Sequence, residues 1–287
     1  MSSRRLLLVH AHPDDETIGT GITMAKYANQ GAKVTLVTCT SGEEGEVLVP
    51  ELEHLASNKE DKLGPHRQIE LSNAMKELKI SDHRFLGGPG KFRDSGMIGT
   101  PPNERKDSFW QADLQVASDE LVKIIREIKP QVAITYDDFG GYGHPDHIQA
   151  HRVAMRASEL AADRNFGIGA PWEIAKIYWN VMPRSVVEEG MAKMKEMGSD
   201  FFGTENIDDL PFVKPDDVVT SVIDGQEFVD QKMSALAAHK TQISVDGPFF
   251  ALSNNLGNKV WGYEYYTLVK GDKNKNVNEK GLEVDLF

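Results

Sequence analysis

The sequence predicts an α/β fold: a Rossmann-like, doubly wound and mainly parallel sheet with a smaller C-terminal lobe. Two observations predict it. Strand-like runs alternate with helix-like segments at short intervals through the first half, the pattern of βαβ units. Two of those runs, Leu6-Leu7-Leu8-Val9 and Val132-Ala133-Ile134-Thr135-Tyr136, each lead into a loop dense in metal-ligand chemistry, His12-Pro13-Asp14-Asp15-Glu16 and His144-Pro145-Asp146-His147. In an open parallel sheet, ligands bind beyond the carboxyl ends of the strands where the strand order reverses, so two such loops can share one crevice.

Strands are expected near 5–10, 33–39, 83–86, 131–136 and 175–181. Between the first two, Thr17 to Gln30 reads as a helix closed by Gly31, with Ile18, Ile22, Ala25 and Ala28 on one face. The same spacing recurs at 66–78, 115–129 and 146–162, and Pro130 terminates the helix carrying Ile124, Ile125 and Ile128. A strand order of 3-2-1-4-5 makes strands one and four neighbours, which brings both histidine loops to the switch point. The stretch Gly87 to Asn103, with Arg93-Asp94-Ser95-Gly96 at its centre, is too long for a simple connector and reads as a binding loop. Past residue 183 the alternation weakens, leaving a helix at 226–239, a strand at 263–269 and a polar tail from Gly271 that is expected to fray. The division is a catalytic core over 1–182 with the metal site and a smaller lobe over 183–287 that covers it, not an independent domain.

Composition narrows the class. The 287 residues are 40% hydrophobic and 26% charged, ordinary for a globular chain. Lys and Arg total 32 against 44 for Asp and Glu, a net charge of -12 that repels phosphate backbones and anionic lipid, so no nucleic-acid or membrane partner is expected. Arg4-Arg5 before Leu6 imitates a secretion signal, but the apolar run ends at His10, and nothing is long enough to span a bilayer. The single cysteine, Cys39, forms no internal disulfide, fits a cytoplasmic location, and reads as a small buried thiol in a strand rather than a nucleophile.

His12 and Asp15, three positions apart in a tight turn, can point at one centre, which leaves Asp14 pointing elsewhere. His144 and His147 share one side of an opening helical turn, so one can bind metal while the other faces substrate. Two imidazoles and one carboxylate with open positions suit a catalytic zinc. Glu16 is expected to serve the dipole of the helix beginning near Thr17, and burying three contiguous acids at a strand end without a cation would be costly. A lone histidine is more often a core or helix-end residue; here several titratable groups share each loop. The same donors serve non-haem Fe(II) oxygenases, so Fe2+ fits the site too, but a free carboxylate and a free imidazole beside the metal suit hydrolysis better. A non-catalytic sugar-binding protein would need neither.

With AHPDDE near the start and GGYGHPDH near the middle, the chain resembles the LmbE-like, or PIG-L, superfamily of zinc-dependent deacetylases acting on N-acetylglucosaminides. Within it the likeness is greatest to the mycothiol-pathway group that deacetylates N-acetylglucosaminyl-inositol. It extends through VTCTSGEEGEV at 37–47, LGGPGKFRDSGMIGT at 86–100, LAAHKTQ at 236–242 and ALSNN at 251–255. The resemblance implies zinc held by His12, Asp15 and His147, with Asp14 as general base. It further implies that His144 protonates the departing amine or steadies the oxyanion, that Asp146 orients His144, and that Tyr142 moves in to polarise the carbonyl. Arg67, Asp94 and Glu46 become contacts for substrate hydroxyls, although Arg67 also reads as a helix residue and Asp94 as a turn former. A sister group, the mycothiol S-conjugate amidases, shares both histidine motifs and is the alternative, with other N-acetylglucosaminide deacetylases of the superfamily.

Overall fold

A computed structural model describes residues 4–196, 204, 206–244 and 262–287. Five parallel strands come first: β1 (Arg5–His10), β2 (Lys33–Thr38), β3 (Asp82–Phe85), β4 (Val132–Thr135) and β5 (Lys176–Pro183). With β6 (Val213–Lys214), β7 (Ser221–Asp224) and β8 (Tyr263–Lys270), the sheet runs β3-β2-β1-β4-β5-β8-β7, and β6 pairs β5 alongside. The expected order 3-2-1-4-5 is the observed one, with β1 hydrogen-bonded to both β2 and β4. Helices α1 (Asp15–Asn29), α2 (Leu63–Glu77), α3 (Leu114–Ile128), a one-turn α4 (Gly140–Gly143), α5 (Pro145–Ala162), α6 (Arg184–Glu196) and α7 (Val229–Ala238) complete the elements that matter here.

Strands buried on both faces have no polar side, which is why β1 reads as a continuous apolar run. Leu6 and Leu8 pack with Ile22 and Met24 of α1, Leu71 and Met75 of α2, and Val229 and Ala235 of α7. Leu7 and Val9 face the other way, onto Leu121 and Ile125 of α3 and Val153 and Ala157 of α5. Local signals set the helix ends. The Asp113 carboxylate caps α3 by accepting from the amides of Gln115 and Val116, and Lys129 in the left-handed region (φ 53) followed by Pro130 ends it. Cys39 is buried and unpaired, as its strand context implied.

The C-terminal third differs from expectation. Strands β8 and β7 extend the central sheet antiparallel beyond β5, and α7 packs onto the same core as α1 and α2, so residues 183–287 supply part of the core. Among the described residues, a satellite cluster of Val187, Met194 and Leu210 with partly buried neighbours is what has the character of a separate lobe. The tail from Gly271 is not frayed. Glu283 is fully buried, accepting from Lys176 Nζ (2.9 Å), Ser221 Oγ (2.6 Å), Tyr178 OH (3.1 Å) and the Asn274 amide (2.6 Å), and Leu286 joins the core. No helix among the described residues is long and apolar enough to cross a membrane. The stretch ALSNN at 251–255 lies outside the described residues.

Candidate metal centre and active site

Both histidine loops emerge side by side because β1 and β4 are paired. His12, His144 and His147, all buried, each bring a ring nitrogen within 4.8 Å of the others. Oδ2 of Asp15 lies 3.3 Å from Nδ1 of His12 and 3.3 Å from Nε2 of His147. Two donors each ~2.1 Å from a tetrahedral zinc sit roughly 3.4 Å apart, so this carboxylate oxygen stands where a shared cation would want it. The opposite ring nitrogens are already engaged: His12 Nε2 meets Asp146 Oδ2 at 3.1 Å, and His147 Nδ1 meets the Gly140 carbonyl at 3.1 Å. That division is the usual outer support of metal-bound imidazoles. Nε2 of His147 is buried without a hydrogen-bond partner, an orphan that a cation would satisfy. The donors therefore fit a divalent metal held by His12 Nδ1, Asp15 and His147 Nε2.

The electrostatics agree. Burial alone would raise the Asp15 carboxyl, but His147 and His12 outweigh it and hold the group well below the carboxylate range. Burial would likewise lower His12, yet the Asp94 carboxylate and the contacts with Asp146 and Asp15 hold its imidazole well above the ordinary value. The supporting groups were not foreseen. Tyr136 OH donates to Asp15 Oδ2 (2.8 Å) and accepts from the Ala11 amide (2.9 Å), while its ring stacks on His147 with centroids 4.2 Å apart. Ser95 donates to Asp146 through both its amide (2.9 Å) and its hydroxyl. No sequence pattern marks either pairing, since each joins residues distant in the chain.

Asp14 is turned away from Asp15 by a backbone at φ 113, ψ -34, and its Oδ2 lies 3.3 Å from Arg67 Nη2. Burial pushes its carboxyl up to about 6; Arg67 opposes the rise and Asp15 adds to it. A carboxylate poised near neutrality beside a metal can act as a general base. Arg67 is itself buried, donating to the carbonyls of Gly42 (2.8 Å) and Pro13 (2.5 Å). A Cβ on Gly42 would come within 2.0 Å of that guanidinium, so the glycine at φ +68 is what admits it.

His144 is the N-cap of α5: its Nδ1 accepts from the Asp146 amide at 3.1 Å. Burial, helped by His12 and His147, lowers it to about 3, so the ring is neutral and its free nitrogen, Nε2, carries the hydrogen. The expected orientation of His144 by Asp146 is thus made by the backbone; the Asp146 carboxylate faces His12 and Ser95 instead. Tyr142 stands half-exposed in the glycine-rich turn, its ring centroid 4.9 Å from His147 and 6.1 Å from His144. Asp94 is buried beside the cluster, Oδ1 3.5 Å from His12 Nε2, and accepts from the amides of Gly96 (2.8 Å) and Glu44 (3.1 Å). Glu46 is exposed, and its backbone carbonyl accepts from Gln242.

Comparison with known proteins follows the same line. A family model described as GlcNAc-PI de-N-acetylase, PIG-L, matches residues 7–158. The chain is 58% identical to the 1D-myo-inositol 2-acetamido-2-deoxy-alpha-D-glucopyranoside deacetylase 1 of Catenulispora acidiphila, over 100% of this chain and 89% of that one. It is 56% identical to the deacetylase of the same description from Streptomyces avermitilis, over 100% and 97%. Among solved structures, the N,N'-diacetylchitobiose deacetylase of Pyrococcus horikoshii superposes with a TM-score of 0.62 at 19% identity, covering 94% of this chain and 85% of that one. The 4-carboxy-2-hydroxymuconate hydratase GalB superposes at 0.56 with 18% identity, covering 96% and 100%, so the architecture also carries other chemistry and shows the fold alone. On the family match across residues 7–158, and on identity above half with relatives along its whole length, the chain belongs to the PIG-L family.

Proposed function

We propose that the chain is a zinc-dependent amide hydrolase that removes acetyl from 1D-myo-inositol 2-acetamido-2-deoxy-alpha-D-glucopyranoside, giving glucosaminyl-inositol and acetate in mycothiol biosynthesis. The observation that carries the chemistry is Asp15 Oδ2 set 3.3 Å from two imidazole nitrogens, one of them otherwise unpartnered, with a second carboxylate alongside. The substrate assignment rests on the curated deacetylases that match the whole chain.

A divalent cation held by His12, Asp15 and His147 would supply Lewis acidity, bringing the pKa of water down to near ~7. Asp14 takes a proton from the attacking water as its oxygen bonds to the acetamide carbon. The carbonyl electrons move to oxygen, and the half-exposed phenol of Tyr142, protonated at neutral pH, donates to that developing charge. Collapse breaks the carbon–nitrogen bond. With His144 neutral and Nδ1 committed to the helix cap, Asp14 returns the proton to the leaving amine, and the Nε2–H of His144 serves as a hydrogen-bond donor. Arg67 and Asp94, with the exposed Glu46, are the groups offered to sugar and inositol hydroxyls.

The test compares acetate release from N-acetylglucosaminyl-inositol with amine release from a mycothiol S-conjugate, using one zinc-loaded preparation. Higher kcat/KM on the acetylated sugar is expected. A preference for the conjugate would replace deacetylase by amidase while leaving the site chemistry intact.

A further inference from the structure

Asp14 is held in an unusual backbone state. Among the described residues three other non-glycines have positive φ, and all lie at 53–59 in the ordinary left-handed basin, whereas Asp14 sits at 113. Its carbonyl is fixed by the amides of Thr17 (3.0 Å) and Ile18 (2.9 Å) at the start of α1. Its own amide donates to Glu16 Oε2 at 3.0 Å. The other oxygen of Glu16 accepts from Thr17 Oγ1 (2.5 Å) and meets Nε2 of His239 at 3.1 Å, across 223 residues of chain. Glu16 and His239 are both fully buried.

A carboxylate serving only the helix dipole would remain in water, because burying it whole requires a partner. His239 supplies that partner from just beyond the end of α7. We propose that Glu16 and His239 form a buried positioning pair that grips the Asp14 amide and thereby sets where the Asp14 carboxylate points. This deepens the reading of Asp14 as the general base and rests on it. Neither residue touches substrate; both act through Asp14, whose misplacement by ~1 Å can cost ~100-fold in rate.

The experiment measures kcat, KM, bound metal and folded fraction for zinc-loaded E16A, E16Q, H239A and D14N. E16A removes the acceptor and H239A leaves Glu16 buried without its partner; each is expected to lose ~10- to 100-fold in kcat per folded, metal-loaded enzyme at unchanged KM. E16Q keeps an oxygen for the Asp14 amide and is expected to stay within about threefold of wild type, so that the kcat loss in E16A and H239A at unchanged KM is what separates positioning from packing. E16A and H239A each decide alone if the other does not fold. Wild-type kcat in either, or a loss confined to KM or stability, overturns the proposal, as does E16Q falling as far as E16A. D14N separates the two readings. Wild-type turnover in D14N removes Asp14 as the base, whereas an inactive D14N beside a fully active E16A removes only the positioning pair.

Discussion

The loops after β1 and β4 meet at one centre but are built in opposite ways. In the first, the polar groups are fastened from within: the His12 amide donates to Asp15 (2.8 Å), Tyr136 holds Asp15, Arg67 faces Asp14, and His239 faces Glu16. The second is held mainly through its backbone: His144 caps α5, the Gly140 carbonyl meets His147 Nδ1 (3.1 Å) and the Gly141 amide donates to Asp137 Oδ1 (2.7 Å), while Gly140, Gly141 and Gly143 all have positive φ and Phe139 and Tyr142 are exposed. Gly140 is required where it stands, since a Cβ there would meet the Cβ of His147 at 2.6 Å. The difference separates two tasks. Side-chain contacts in the first loop hold a ligand and a base at fixed distances, whereas the second leaves the Tyr142 side chain exposed, where a hydrogen-bond donor can meet substrate.

The comparison breaks or sharpens under substitution. The largest effect is expected for D14N in the fastened loop: kcat falls by ~10³-fold through loss of the base, read by steady-state acetate release. Retention of activity would transfer the base role to another group. Y142F in the glycine-rich loop removes a single donor and is expected to cost ~100-fold in kcat, with metal content and thermal midpoint unchanged. Loss of metal in Y142F would mean that the second loop, too, is structural. H144A is expected to lower kcat by ~10-fold or more through one lost donor and stability by about 1 kcal/mol through the lost helix cap; denaturant unfolding checks the second figure. The smallest effect is a shift along the pH axis. Asp14 is active only as the carboxylate, so activity is lost as pH falls through its pKa, about 6 in the protein alone and pulled lower by a bound cation. Arg67 depresses that value, so R67M should move the acid limb of kcat/KM to higher pH by roughly one unit; an unmoved limb would uncouple Arg67 from Asp14.

How much of this the sequence showed follows from what kind of interaction carries each part. The parallel half was legible because alternating apolar runs and helical spacing are local patterns, and the candidate metal-binding groups His12, Asp15, His144 and His147 were legible because each pair lies three positions apart, although spacing alone left open which of His144 and His147 would be the ligand. The antiparallel β8 and β7 and the ordered tail were not, because Glu283 finds Lys176, Ser221 and Tyr178 only across the folded sheet. Similarly, Glu16 read as a helix-dipole charge until His239 arrived beside it, and Asp146 turned to His12 because Ser95, in the loop at 87–103, takes up its other oxygen. Buried polar partners are chosen in three dimensions, and a single sequence carries no period that announces them.

The account rests on one cation shared between the two loops through Asp15, with the adjacent Asp14 left free. The most direct measurement is the metal content of purified D15A and D14N, each exchanged against the same zinc buffer. D14N should hold one equivalent per chain and D15A essentially none; equal occupancy of the two at the wild-type level would contradict the assignment of ligand and base.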